Sequence, residues 1–268
     1  MEIDVLGQRS FVYTGGRPSV AGQPTAVFLH GVLGDHSVWG LQTRWFAHHG
    51  WNVLAPDLPG HAKSAGAPPA SVEDAARFAV ALLDAAGVER AALVGHSLGS
   101  LIALQAAADA PRRVTHLALV ATAWPMPVAP ALLESALRTP QRAIDLVAAL
   151  SHSTLAPPAG AVAAGLWLPG STRALMRRVL AGRREANAFH AGFTACDGYQ
   201  GGAAAAAAVT CPTLAVLGRR DQMTPPHAGR ALAARIAGAQ VVELEAGHAL
   251  MAEAPDAVLG ALRGFLAA

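Results

Sequence analysis

The 268-residue sequence has little cysteine, few charged residues and no long hydrophobic run. Its two cysteines, Cys196 and Cys211, are too few for a disulfide framework and lack the spacing of metal ligands, so we expect no metal site. The net charge of +2 is too small for a protein that binds the phosphate backbone of nucleic acid. Glycine, proline or charge interrupts every apolar stretch before the roughly 18 to 20 residues of a membrane span, and Met1 to Ser10 has no signal-peptide pattern. We therefore expect a cytoplasmic protein with neither nucleic acid nor a membrane as a partner.

Apolar residues make up 53% of the chain and occur in short runs. This length and composition predict one soluble domain with a substantial core. Residues Glu2–Leu6 and Arg9–Tyr13 flank a turn and predict a β-hairpin. Six apolar runs of strand length follow: Ala26–His30, Asn52–Pro56, Ala91–Val94, His116–Val120, Thr213–Leu217 and Gln240–Leu244. Because helix-length segments separate most of these runs, we expect an α/β fold with an eight-stranded, mostly parallel, twisted sheet and helices on both faces.

The segments between the runs have helix start and stop signals. Three of them are Ser37–His49, Ser71–Ala86 and Leu98–Ala110, each followed by glycine or proline. After the sixth strand this rhythm stops, and residues 124–195 are helix-patterned with no convincing strand. A structureless loop of that length is uncommon in a compact domain. The sequence therefore predicts a helical cap at 124–195, inserted into a core formed by 1–123 and 196–268.

A serine between glycines provides the main chemical signal. The segment Gly95-His96-Ser97-Leu98-Gly99 matches the G-x-S-x-G nucleophile elbow, in which side chains at the glycine positions would collide with the neighbouring strand and helix. The motif follows a predicted strand and opens a predicted helix, which is the setting it requires. Ser97 is thereby placed at the carboxyl end of the sheet, where open α/β sheets bind ligands. The Leu98 N–H is left unpaired at a helix N-terminus and can bind an oxyanion.

A serine hydroxyl needs a base, and that base needs an orienting acid. His248 follows the last predicted strand by a short loop, and Asp221 occupies the equivalent place after Thr213–Leu217. Both are therefore expected at the same edge as Ser97, and their order along the chain is the one used by triads of this fold. Each residue alone also fits a structural role, as a turn serine, a helix cap or a core histidine. Their joint order and placement favour a catalytic triad.

Two further segments are expected beside the serine. Gly31 follows the strand Ala26–His30 and lets the Val32 N–H serve as the second oxyanion donor. His30 fits either a structural hydrogen-bonding role or a place in the pocket. His96 either packs against the cap or lines the pocket.

The ordered landmarks of the chain resemble those of the α/β-hydrolase fold superfamily, within it the small capped esterases, enol-lactonases, carbon-carbon bond hydrolases and cofactor-free haloperoxidases. The resemblance is carried by His30–Trp39, Pro56–His61, Gly95–Gly99, Asp221, Glu245–His248 and Glu253–Pro255. The serine nucleophile differs from the aspartate of the dehalogenases and epoxide hydrolases. One departure is Ala62, where the family often has glycine; its methyl group should be tolerated if the backbone there has an ordinary φ.

The resemblance implies a serine hydrolase that needs no metal or organic cofactor and cleaves a small to medium, largely apolar carboxylic ester through an acyl-enzyme on Ser97. A lactonase or a carbon-carbon bond hydrolase would use the same triad, and a haloperoxidase (perhydrolase) or a non-catalytic ligand-binding module are further alternatives. The cap should cover the site and favour a small-molecule substrate, and a homodimer is compatible with it. The arginine-rich cap could steer an anionic substrate, although Arg173, Arg177 and Arg184 also fit an exposed helix face. Candidate pocket residues are His30, His96, Trp124, Met126, Trp167 and Met223.

Overall fold

The computed structural model describes residues 1–154, 167–182 and 186–267. Eight strands form a single sheet in the order β1-β2-β4-β3-β5-β6-β7-β8. Strands β1 and β2 form the predicted hairpin, β2 pairs with β4 antiparallel, and all remaining pairs are parallel. The strands are β1 Glu2–Val5, β2 Gln8–Tyr13, β3 Thr25–Leu29, β4 Asn52–Pro56, β5 Ala91–His96, β6 Val114–Val120, β7 Thr213–Gly218 and β8 Gln240–Leu244. The fold class predicted from the sequence is confirmed.

Alternation along the parallel strands produces two apolar faces, because successive side chains of a strand point to opposite sides of the sheet. Val27 and Leu29 of β3 belong to a buried cluster that includes residues of the helices that follow β4 and β5. Phe28, between them, belongs to a second cluster that includes residues of the helix that follows β3 and of the last helix of the chain. The central strands are thus buried on both sides, as their continuous apolar runs predict.

The three core helices predicted from the sequence begin and end close to their predicted bounds. They are α1 Gly40–His48, preceded by a 3₁₀ turn at His36–Trp39, α2 Val72–Ala85 and α3 Leu98–Asp109. Further helices of the core are α8 Gly202–Ala208, α9 Pro226–Ala233, α10 Leu250–Glu253 and α11 Pro255–Leu266. Ser71 caps α2 by accepting a hydrogen bond from the Asp74 N–H at 3.1 Å.

The described residues between β6 and β7 form helices joined by irregular segments, and no strand occurs among them. It contains α4 Pro130–Arg138, α5 Pro140–Leu150, α6 Leu168–Gly182 and α7 Ala188–Gly198, the last of which continues past residue 195. These helices share a buried cluster of their own that also takes in Leu33 from the core. Arg184 lies outside the described residues.

None of the described helices is both long enough and apolar enough to cross a bilayer.

Candidate active site

Ser97 occupies a sharp turn between β5 and α3. Its backbone has φ 54° and ψ −120°, a region that L-residues rarely adopt. The flanking glycines are required by backbone approach: a Cβ at Gly95 would lie 2.0 Å from the Gly99 carbonyl oxygen, and one at Gly99 would lie 2.4 Å from the Leu29 carbonyl oxygen. This turn lifts Ser97 out of the strand and into a cavity at the carboxyl edge of the sheet.

Asp221 and His248 reach the same edge from the two neighbouring strand ends. Asp221 follows β7 and His248 follows β8, and both side chains are buried. His248 Nδ1 lies 2.9 Å from Asp221 Oδ2, so the ring nitrogen left to face another group is Nε2. Burial alone would raise the pKa of Asp221, but the charge and hydrogen bond of His248, together with Thr224, hold this pKa below its ordinary value. The carboxylate is therefore ionised across the neutral range.

Thr224 is a member of this arrangement that the sequence reasoning missed. Its hydroxyl donates to Asp221 Oδ2 at 2.7 Å and lies 3.1 Å from His248 Nδ1. Its backbone N–H donates to Asp221 Oδ1 at 2.8 Å, as does that of Met223. Asp221 thus accepts four hydrogen bonds, which fix its carboxylate plane. The signal was a threonine three residues after an aspartate, which is the spacing of a side-chain capping turn.

Ser97 and His248 both line the same two cavities. Within the described part of the chain, no hydrogen bond joins the Ser97 hydroxyl to His248. Such contacts are often long in ligand-free sites and shorten when substrate binds.

Two backbone amides beside Ser97 are free to bind an anion. Neither the Val32 N–H nor the Leu98 N–H donates a hydrogen bond to any described residue. Leu98 is the first residue of α3, where the helix dipole favours negative charge. Val32 lines both cavities, whereas Leu98 itself is not among the lining residues of either.

The larger cavity has a volume of about 600 Å³ and lies between the core and the inserted helices. Residues of the Gly31–Gly34 turn, α1, α6 and α10 form its walls. A smaller space of about 170 Å³ lies on the other side of Ser97, against Met126–Ala129, Leu132 and Gln222. Most of the lining side chains of both are apolar, and this favours a substrate with little charge.

The structure places three of the predicted pocket residues at these cavities. His96 lines the larger one, Met126 the smaller one, and Met223 lines both. His96 donates from Nε2 to the His248 carbonyl oxygen at 2.9 Å. Burial, with the neighbouring His248, lowers the pKa of His96 to about 3, so its ring is neutral at physiological pH.

Contrary to the prediction, the other three predicted pocket residues line neither cavity. His30 is fully buried, with Nδ1 donating to the Gly31 carbonyl oxygen and Nε2 accepting from the Leu58 N–H, so both ring nitrogens are used structurally. Trp124 donates from Nε1 to the Tyr199 carbonyl oxygen and packs against α8. Trp167 is 44% exposed on the cap surface. The position of a residue beside a strand or in the cap does not determine the direction of its side chain.

The three arginines of α6 form ion pairs. Arg173 and Arg177 both pair with Asp145 of α5. Arg178 lines the larger cavity, and its guanidinium donates to the buried Asp35 carboxylate at 2.7 Å. This buried counter-ion compensates the charge that could have steered an anionic substrate.

One cluster has the composition of a cation site. Ligand atoms of Asp35, His36 and Asp57 lie within 4.8 Å of one another. Hydrogen bonds already satisfy both carboxylates: Asp57 accepts from His36 and the Lys63 N–H, and Asp35 accepts from Ser37 and Arg178. The donor set therefore does not require a metal.

A family model for the α/β hydrolase fold matches residues 24–255. A Klebsiella pneumoniae protein described as a carbamate hydrolase is 32% identical over 235 residues, which are 85% of each chain. Two other curated relatives match at 40% and 41% identity, but the chain covers only 26% and 37% of their lengths.

Solved structures share the fold over the whole chain. An esterase from Exiguobacterium antarcticum superposes with a TM-score of 0.84 at 17% identity, covering 100% of this chain and 99% of the other. The enol-lactonase from Burkholderia xenovorans superposes with a TM-score of 0.84 at 24% identity, covering 100% of both chains. At these identities the superpositions show the fold alone.

Proposed function

Because the chain belongs to the α/β-hydrolase fold family, we propose that it is a serine hydrolase that cleaves a small to medium, largely apolar carboxylic ester. Family membership confirms the resemblance found in the sequence and, at the level of the family, the expectation of a hydrolase. The observation that supports the proposed reaction is that Ser97 and His248 line one cavity, with His248 hydrogen-bonded to Asp221 and with the free amides of Val32 and Leu98 beside Ser97.

The proposed reaction is a two-step acyl transfer. His248 Nε2 takes the Ser97 proton while the serine oxygen attacks the ester carbonyl, and the carbonyl electrons move onto oxygen. The Val32 and Leu98 amides bind this oxyanion, and each such donor is worth about 3 kcal/mol of transition-state stabilisation. The imidazolium, stabilised by Asp221, then gives its proton to the departing alcohol. A water molecule, activated by His248, releases the acid and restores Ser97.

The unequal cavities support an ester whose two parts separate at Ser97. The space of about 600 Å³ accommodates the larger part and that of about 170 Å³ the smaller one. Their apolar walls contribute binding energy from buried carbon, roughly 25 cal/mol per Å² of apolar surface removed from water. Short to medium acyl esters are therefore expected to be better substrates than charged ones.

A carbamate is the second candidate substrate, and the 32% identical relative described as a carbamate hydrolase favours it. The same nucleophile and oxyanion donors would serve, because a carbamate differs from an ester by the nitrogen on its carbonyl carbon. Lactones and vinylogous diketones also fit the triad chemistry. The relative kcat/KM of p-nitrophenyl esters, aryl carbamates, lactones and diketones distinguishes these possibilities.

The test of the proposed function is ester turnover by the purified protein and by Ser97→Ala. We expect Ser97→Ala to lower kcat by at least about a thousandfold, because the nucleophile is removed. Ser19→Ala is the matched control, since Ser19 is exposed and distant in sequence from the site. Undiminished turnover by Ser97→Ala contradicts the proposal, and absence of turnover on all four substrate classes favours a non-catalytic ligand-binding module.

A further inference from the structure

We propose that Glu253, together with Ser151 and Ser153 at the end of α5, forms a brace that positions His248 for proton transfer. The inserted segment would then support the proposed catalytic base in addition to covering the cavity. This inference rests on the proposed function, because it treats His248 as the base. We call Glu253, Ser151 and Ser153 the brace.

The backbone around His248 is held from several sides without regular secondary structure. Gly247–Ala249 lies between β8 and α10. The His248 carbonyl oxygen accepts from His96 Nε2, and the Ala249 N–H donates to the Ser151 carbonyl oxygen at 2.8 Å. The Gly247 N–H donates to Glu253 Oε2. Two of these three contacts come from the brace, so the position of the His248 peptide depends on it.

Glu253 connects the His248 loop to the cap through one carboxylate. While Oε2 accepts from Gly247, Oε1 accepts from the Ser153 N–H at 2.8 Å and from the Ser153 hydroxyl at 3.0 Å. Both oxygens therefore face N–H donors that belong to different parts of the chain. A glutamine of the same size offers only one acceptor oxygen, and its NH₂ group would meet a donor. The bridge consequently requires a carboxylate.

The cap and the His248 loop also pack without space between them. A Cβ at Gly247 would lie 2.8 Å from both the Ser151 carbonyl oxygen and the Ser153 nitrogen. Ser151 in addition lines the larger cavity. A displacement of the end of α5 therefore changes the His248 loop directly. Glu253 itself is not a lining residue of either large or small cavity, so it acts through His248 and is a positioning residue.

The test compares Glu253→Gln with Glu245→Gln. Glu245 lies two residues before Gly247, is exposed and pairs with Arg219 on the surface, which makes it a matched carboxylate-to-amide control in the same loop. Two readouts are measured on the full chain: the steady-state kinetics of p-nitrophenyl ester hydrolysis, and backbone hydrogen–deuterium exchange of peptides that contain Gly247–Ala249. The second readout does not depend on any activity.

We expect Glu253→Gln to lower kcat roughly tenfold or more, corresponding to the loss of about one charge-assisted hydrogen bond, while KM changes less than about twofold. Exchange at Gly247–Ala249 should become faster in Glu253→Gln and stay unchanged in Glu245→Gln. Unchanged exchange in Glu253→Gln overturns the brace. Faster exchange with unaltered kcat overturns its positioning role and leaves a purely structural contact. If the wild-type protein hydrolyses no ester, the proposed function fails, whereas the exchange comparison still decides whether the brace holds the loop.

Discussion

At the scale of single residues, the environment of Asp221 determines how His248 can work. Four hydrogen-bond donors surround the carboxylate, two from backbone amides, one from Thr224 and one from His248. These contacts keep the Asp221 carboxylate ionised and hold it in one orientation. In consequence the imidazole has its Nδ1–H directed at Asp221 and its Nε2 directed at the cavity side, which is the tautomer a general base requires.

We predict that Thr224→Val lowers kcat of the proposed ester hydrolysis by about 10- to 100-fold, because one hydrogen bond to a charged group is worth roughly 1.5 to 3 kcal/mol. Valine has nearly the same shape, so packing is retained. Thr224→Ser keeps the hydroxyl and should retain most of the activity. Equal losses in the valine and serine variants, measured by steady-state kinetics, would show that the hydroxyl has no positioning role.

At the scale of elements, the loop after β4 differs from what the sequence suggested. The methyl group of Ala62 was expected to be harmless if its backbone had an ordinary φ, but φ is +40° there. The condition of that expectation is therefore not met. The left-handed region brings the Cβ of an L-residue close to the following carbonyl oxygen, at a cost of about 1 to 2 kcal/mol. Glycine carries no such cost, although it loses more conformational entropy on folding.

Replacing Ala62 by glycine should therefore stabilise the protein by about 0.5 to 1 kcal/mol, which corresponds to a rise in Tm of roughly 1 to 4 °C for a chain of this size. Ala67→Gly in the same loop is the control. Ala67 has no positive φ, so there glycine adds only unfolded-state entropy and should lower Tm. Thermal unfolding followed by circular dichroism measures both, and a lower Tm for Ala62→Gly would refute the strain argument.

The sequence predicted the elements well because their signals are local. Apolar runs fix the strands, and Ser71 with Asp74 fixes the start of α2. The signal of the elbow is also local, because the two glycines that its tight turn requires stand two residues before and two residues after Ser97. What the sequence could not provide is the direction of single side chains in loops. The ring of Trp124 and the hydroxyl of Thr224 are placed by partners far along the chain or by turn geometry, which no periodicity records.

At the scale of the whole molecule, buried histidines couple stability to pH. His61 is buried and His96 is half-buried, and desolvation is the largest cause of lowering each pKa to about 3. In the unfolded chain each returns to the ordinary value of about 6.5. Between these two values the unfolded state binds protons that the folded state does not. The free energy of unfolding therefore falls as pH decreases from about 6.5 toward 3, and these groups contribute no pH dependence above that window.

The slope of this loss is up to about 1.4 kcal/mol per pH unit for each such histidine. We predict that His61→Asn removes the contribution of one histidine from this slope, because asparagine does not titrate. The asparagine amide can still donate to the Pro59 carbonyl oxygen, which His61 Nδ1 contacts at 3.0 Å. His227→Asn, at an exposed position, should leave the slope unchanged. Denaturant unfolding at pH 4.5 to 7.5 gives the slopes, and identical slopes for wild type and His61→Asn would contradict the prediction.

The nucleophilic reactivity of Ser97 is measured by the mass of the Ser97 peptide after reaction with a fluorophosphonate. A nucleophilic Ser97, activated by His248 and oriented beside the Val32 and Leu98 amides, should form one covalent phosphonyl adduct per chain, located on the peptide that contains Ser97. Asp221→Asn should slow the labelling strongly, since the imidazole loses its orienting acid. An unmodified Ser97 peptide after prolonged exposure of the folded protein, or an adduct on another residue alone, would contradict the account.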